Sequence, residues 1–291
     1  MAWLTKKSWA KIAVAVALTA ALFVLAGVGS CAVRTGYWLG DLYGGNPLGG
    51  EGYRNVTRIP VEGIKNVEID WAAGSVEVDY GSGDEFSLTE TSPTGLTRAQ
   101  AMRCVVEGDT LKVSYGNGFT GCTGGRAKQL QVSMPRMEGL SLDGASGTYQ
   151  VSGAVSERLV VSLASGQFKA FGADVDVLSL NVASGNASFE GIVRESVQAD
   201  AASGRIDVTC NLVCPKRFDA DFASGTVTLS LPDTGKGFDV QVDKASGSFK
   251  SEYDLDDLGG GKYRYKEGAV EGGTTVNASL MSGEFILQKT Q

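Results

Sequence analysis

The 291-residue chain carries 40 glycines but only 6 prolines at a net charge of −7, the composition of a folded protein and not of a disordered or collagen-like one. Its acidic balance, with no clustered Lys or Arg, excludes a nucleic-acid partner, because phosphate binding needs a basic stripe. Histidine is absent, which removes the commonest metal ligand and the side chain that most often moves protons near neutral pH; the composition argues against an enzyme, and no metal or cofactor is expected.

Residues 1–35 read as a membrane anchor or signal segment. Ile12 to Val33 is a run of 22 residues without a charge, preceded by Lys6, Lys7 and Lys11 and followed by Arg34. As a helix it is long enough to cross a bilayer. The lysines hold the N-terminus in the cytoplasm, so the expectation is a single-pass protein of the cell membrane whose C-terminal domain is extracytoplasmic. Trp3 and Trp9 before the run, and Tyr37 and Trp38 after it, stand where an aromatic belt would. Two alternatives stay open: Val28-Gly29-Ser30-Cys31 also fits lipoprotein processing with Cys31 lipidated, and plain cleavage would secrete the domain. Residues 36–54, Gly-rich with Pro47, read as a linker.

Residues 55–291 are dominated by a repeat. A Ser-Gly pair recurs at Ser146-Gly147, Ser165-Gly166, Ser184-Gly185, Ser203-Gly204, Ser224-Gly225, Ser246-Gly247 and Ser282-Gly283, with Ala73-Gly74 as an early variant. Steps of 19, 21 and 22 residues separate the glycines from 147 to 247. Seven residues before each Gly stand Val67, Leu140, Leu159, Leu178, Val197, Phe218, Val240 and Val276; five before, Ile69, Leu142, Val161, Leu180, Ala199, Ala220, Val242 and Ala278. Two after come Val76, Tyr149, Phe168, Ala187, Ile206, Val227, Phe249 and Phe285, and four after another apolar column broken only by Ser251. Alternation of period two on both sides of a tight corner means two short strands per repeat, each with one face inward. The predicted fold is all-β: a single-stranded parallel β-solenoid, or β-helix, of 19–22-residue coils, right-handed by the usual crossover rule. The Gly supplies the conformation that the corner demands, and the Ser before it is expected to satisfy turn backbone groups. Gly153, Gly172 and Gly191 mark a second corner. Val67–Val78 and Val276–Leu287 read as the end coils, neither with an obvious cap.

Two inserts break the period. Residues 79–139 hold a hairpin around Cys104 to Tyr115, a Gly-rich loop and the strand Leu130–Met134; residues 252–273 read as a protruding hairpin. Inserts of this kind are where recognition tends to reside. Cys104, Cys122, Cys210 and Cys214 are disulfide candidates in an exported domain, and proximity favours Cys104 with Cys122 and Cys210 with Cys214, with unpaired thiols left open. A thiolate metal site would want a histidine or a C-x-x-C pair, and neither is present. Four residues before the corner runs an outward column, Asp70, Asp143, Ser162, Asn181, Asp200, Asp221, Asp243 and Ser279. Asp200, Asp221 and Asp243 are expected on consecutive coils about 4.8 Å apart, as a solvated face or a stripe for Ca²⁺ or a cationic glycan.

The register of eight corners, the first coil Asn66–Val78, Glu107-Gly108-Asp109-Thr110-Leu111 and the closing Ser282-Gly283 resemble the DUF4097 family of bacterial adhesin-like β-strand repeat proteins, over about residues 55–291. The resemblance implies surface display or envelope-stress signalling and brings no catalytic motif. The expected function is therefore a non-catalytic, membrane-anchored surface module for binding or scaffolding, touching a cell-wall glycan, a host surface or an envelope protein. An accessory role in envelope-stress sensing is the first alternative and a polysaccharide-active enzyme the second.

Overall fold

The computed structural model describes residues 52–116, 128–153, 155–265 and 269–290. The anchor at 1–35, all but the end of the 36–54 linker, and Cys122 lie outside the described residues. Among those described, all regular structure is strand, and no helix is long and apolar enough to cross a membrane.

Alternation builds the first layer: Val67 and Ile69 of β2 (Asn66–Trp71) and Val76 and Val78 of β3 (Gly74–Tyr80) point inward, with polar residues between them outward. The same pattern forms β8 (Met137–Gly144) and β9 (Thr148–Ser152), then β10 (Val155–Leu163). Next comes β11 (Gln167–Cys210), which runs through several layers and turns at each glycine corner. β12 (Arg217–Phe222) and β13 (Thr226–Leu231) form one later layer, and β14 (Lys236–Lys244) with β15 (Ser248–Ser251) another. β18 (Ala269–Leu280) and β19 (Glu284–Lys289) make a third. Pairing between layers is parallel and in register: Val67 opposes Leu140, Leu140 opposes Leu159, and Leu159 opposes Leu178. The other arm matches, with Val76 opposite Tyr149 and Tyr149 opposite Phe168. Residues sharing an offset from the corner thus touch their counterparts, as the period requires, and one continuous core takes side chains from both arms.

Close approach is what the corner glycines provide. Gly147, Gly166, Gly185, Gly204 and Gly225 all have positive φ, and a Cβ on each would fall 2.1 to 2.3 Å from the carbonyl oxygen of the glycine one layer before. Their column leaves no room for any side chain. The serines beside them have a different part from the expected one. They are exposed, and the turn's backbone is satisfied by the neighbouring layer: Ser165 N–H donates to Ala145 O at 3.0 Å and Ser184 N–H to Ala164 O at 2.9 Å.

The ends correct the sequence reading most. Val67–Val78 is not an end coil. β6 (Thr110–Ser114) and β7 (Lys128–Met134) form a further layer on its outer side, with Leu111 opposite Val67 and Leu130 opposite Val76. The described strands of the 79–139 segment, on both sides of 117–127, are therefore part of the stack and do not project from it. Antiparallel strands finish this end: β5 (Arg103–Glu107) against β6, and β4 (Glu85–Ser92) between β7 and β1 (Tyr53–Pro60). At the other end β18 and β19 lie between β12/β13 and β14/β15, so the last layer in sequence is the second last in space. The predicted hairpin is present as β16 (Leu255–Gly259) and β17 (Lys262–Tyr265), but β17 pairs with β14 and covers the stack end. Tyr265 stacks on Phe238 at 4.8 Å and Tyr263 meets Phe249 at 5.0 Å, a cap of aromatic rings.

Candidate functional site

Outward positions of the first arm, between β11 and β14, form a shallow polar groove. Gln198, Arg217, Asp219, Asp221, Gln241, Asp243, Asn277 and Ser279 line it. Period two puts them there, because their inward neighbours Val197, Phe218, Val240 and Val276 are core.

The aspartate column is interrupted. Asp200 opposes Asp221, but Asp221 and Asp243 both oppose Ser279, so a hydroxyl stands between the last two carboxylates. The insertion of β18 beside β12 is the reason, and it relieves the like-charge contact that chain order alone would give. Amides and a guanidinium two positions back hold the carboxylates: Gln198 Nε2 donates to Asp200 at 2.7 Å and Gln241 Nε2 to Asp243 at 2.8 Å. Asp219 accepts from Arg217, in part through Nη2 at 3.0 Å, and from Asn277 Nδ2 across the layers at 2.9 Å. The sequence reading named Asp200, Asp221, Asp243 and Ser279 and missed Gln198, Arg217, Asp219, Gln241 and Asn277. The signal was available, since all but Arg217 sit six residues before their corner glycine and Arg217 eight before.

Burial pushes the Asp200 carboxyl up to about 6; the Gln198 amide opposes this, and the Asp221 and Asp219 carboxylates add to it. Burial also raises Asp143, with help from Asp70, and burial raises Asp70 itself. A folded-state value above the unfolded value of about 3.9 means that the folded protein holds the proton more tightly. The stability Asp200 contributes is therefore complete below about pH 4 and is lost as pH rises through about 6. The Tm of the Asp200→Asn variant is expected to fall less than that of the parent between about pH 5 and about pH 7.5. Identical slopes would refute the assignment to Asp200.

The other candidates fall elsewhere. Cys104, Cys210 and Cys214 are free thiols, so the expected Cys210–Cys214 bond is absent; Cys210 is wholly buried in the core and Cys214 donates toward Pro232 O at 3.5 Å. Burial pushes the thiols of Cys104 and Cys210 up to about 12, which leaves them unreactive as thiolates. Among the described residues no group of three or more Cys, Asp or Glu side chains converges as a metal site.

The profile of the Toastrack DUF4097 family matches residues 58–288. No curated protein matches the chain. Among solved structures, it is similar to a "putative cell adhesion protein" from Clostridium sporogenes at 12% identity, covering 82% of this chain and 100% of that one with a TM-score of 0.42. It is similar also to a "putative adhesin" from Bacteroides fragilis at 14% identity, covering 81% and 96% with a TM-score of 0.37. A "putative lipid binding protein" from Parabacteroides distasonis matches at 13% identity over 82% and 97%, with a TM-score of 0.41.

Proposed function

The chain belongs to the Toastrack DUF4097 family, and from that premise we propose that it is a non-catalytic surface module, held at the bacterial membrane by residues 1–35, which binds an extended cell-wall glycan along the polar groove. The layered domain is on this reading a single-stranded parallel β-solenoid, a rigid support that keeps the groove straight. The carrying observation is the row of short carboxylate and amide side chains already fixed by hydrogen bonds to one another, Gln198 with Asp200, Asn277 with Asp219 and Gln241 with Asp243. Sugar hydroxyls both donate and accept. A row alternating acceptor oxygens with amide donors serves them without ordering loose side chains on binding. Asp200, Asp219 and Asp243 are each engaged with a neighbouring side chain, an arrangement that supports holding a ligand.

Sedimentation of the protein with purified wall polysaccharide is the direct test. Binding is expected, and Asp219→Ala with Asn277→Ala together is expected to weaken it about tenfold, the effect of losing roughly 1.4 kcal/mol of contacts. Wall material that binds the double variant as well as the parent removes the groove from the reading.

A further inference from the structure

At the N-terminal end of the stack the corner column holds Lys128 where the other layers hold glycine, directly opposite Gly74. Its ammonium is buried at 1% exposure and lies 2.6 Å from Oε1 of Glu90, a β4 residue with no exposure at all. The rings of Trp71 and Tyr115 wall the pair at 4.7 and 3.9 Å from Nζ. Two backbone carbonyls, Gln100 O at 2.9 Å and Tyr115 O, hold the amine in place. On the other carboxyl oxygen, Met102 N–H donates to Oε2 at 2.9 Å, and the Tyr53 hydroxyl is hydrogen-bonded to the same carboxyl.

We propose that Lys128 and Glu90 condense to an intramolecular amide between Nζ and the side-chain carboxyl carbon, stapling β4 to β7 at the end of the stack. Burying two charges costs several kcal/mol per ion, and passing one proton from the ammonium to Oε1 removes both charges at once. Burial lowers the proton affinity of Lys128, which favours that transfer. The freed lone pair attacks the carboxyl carbon. Negative charge then develops on Oε2, where the Met102 N–H is already aimed, as in other sites that stabilise an oxyanion. A proton moves from nitrogen to the Oε1 hydroxyl, which departs as water while Oε2 reforms the carbonyl. One C–N bond forms, one C–O bond breaks, and no oxidant or reductant is needed. The one remaining N–H keeps a backbone carbonyl as its acceptor. Condensation is uphill between free groups in water, but groups fixed in contact act at effective molarities of about 10⁵ to 10⁸ M, and this site excludes water.

Peptide mapping of the full purified chain by mass spectrometry decides the matter. The expected result is a branched peptide joining the Glu90 and Lys128 segments, lighter by one water than the two together, with no tryptic cleavage after Lys128. Lys128→Met and Glu90→Ala should each abolish it. Recovery of Glu90 and Lys128 only in separate, unmodified peptides from the folded parent overturns the proposal, whether or not the variants fold; so does a water loss that fragmentation places at other residues.

Discussion

Replacing Gly185 by valine is expected to prevent accumulation of the folded protein, while Ser184→Ala beside it is expected to leave stability unchanged within about 0.5 kcal/mol. Gly185 sits at φ +129°, which a side chain adopts only at a cost of about 1–3 kcal/mol. Its Cβ would lie 2.3 Å from Gly166 O, with Gly204 packed on the other side, so relief requires layers to move apart and the Ser184–Ala164 bond to stretch. A clash in a packed interior adds about 1–3 kcal/mol, and the sum is a large part of the 5–15 kcal/mol that stabilises an ordinary domain. Ser184 is exposed and its contribution is through its backbone. Thermal melts of the two variants check the pair; a Gly185→Val protein melting within a few degrees of the parent would show that the column tolerates a side chain.

Ending the chain after Tyr265 is expected to cost more than the one layer removed. Among the described residues β18 and β19 supply the only parallel partners of β14 and β15, and they separate these strands from β12 and β13. Without them the layer at 236–251 and its aromatic cap lose their attachment, and Phe218, which stacks on Phe285 at 6.0 Å, is uncovered. Each core side chain lost or exposed is worth roughly 1.5–3 kcal/mol. Hydrogen exchange should show protection lost throughout 236–265 and kept in β10 and β11. Retained protection in β14 would mean that it slides into the vacant place beside β12, in which case the spatial order is not enforced by the cap.

The core was legible in the sequence because strand geometry is periodic at short range. The offsets that align Leu159 with Leu178 and Phe168 with Tyr149 are read directly from the corner glycines, and the register agrees. The outward aspartates were legible by the same rule, and their donors could have been. The thiols were not: an even count of four cysteines suggests bonds, yet Cys210 occupies a wholly buried position as a small apolar residue. The layer made by β6 and β7 was hidden because its two strands are separated by the 115–127 segment and its corner carries Lys128 in place of glycine.

Alternation along a strand and the recurring glycine decide which residues point inward and where the corners fall, except at the corner that carries Lys128. Which layer lies next to which at the two ends, and the meeting of Lys128 with Glu90, emerge only in the folded chain. Every layer offers the same pattern of backbone donors and acceptors along its edge, so pairing is equally good with any neighbour in register. The choice falls to antiparallel caps, aromatic contacts and a buried ion pair made between residues far apart in the chain.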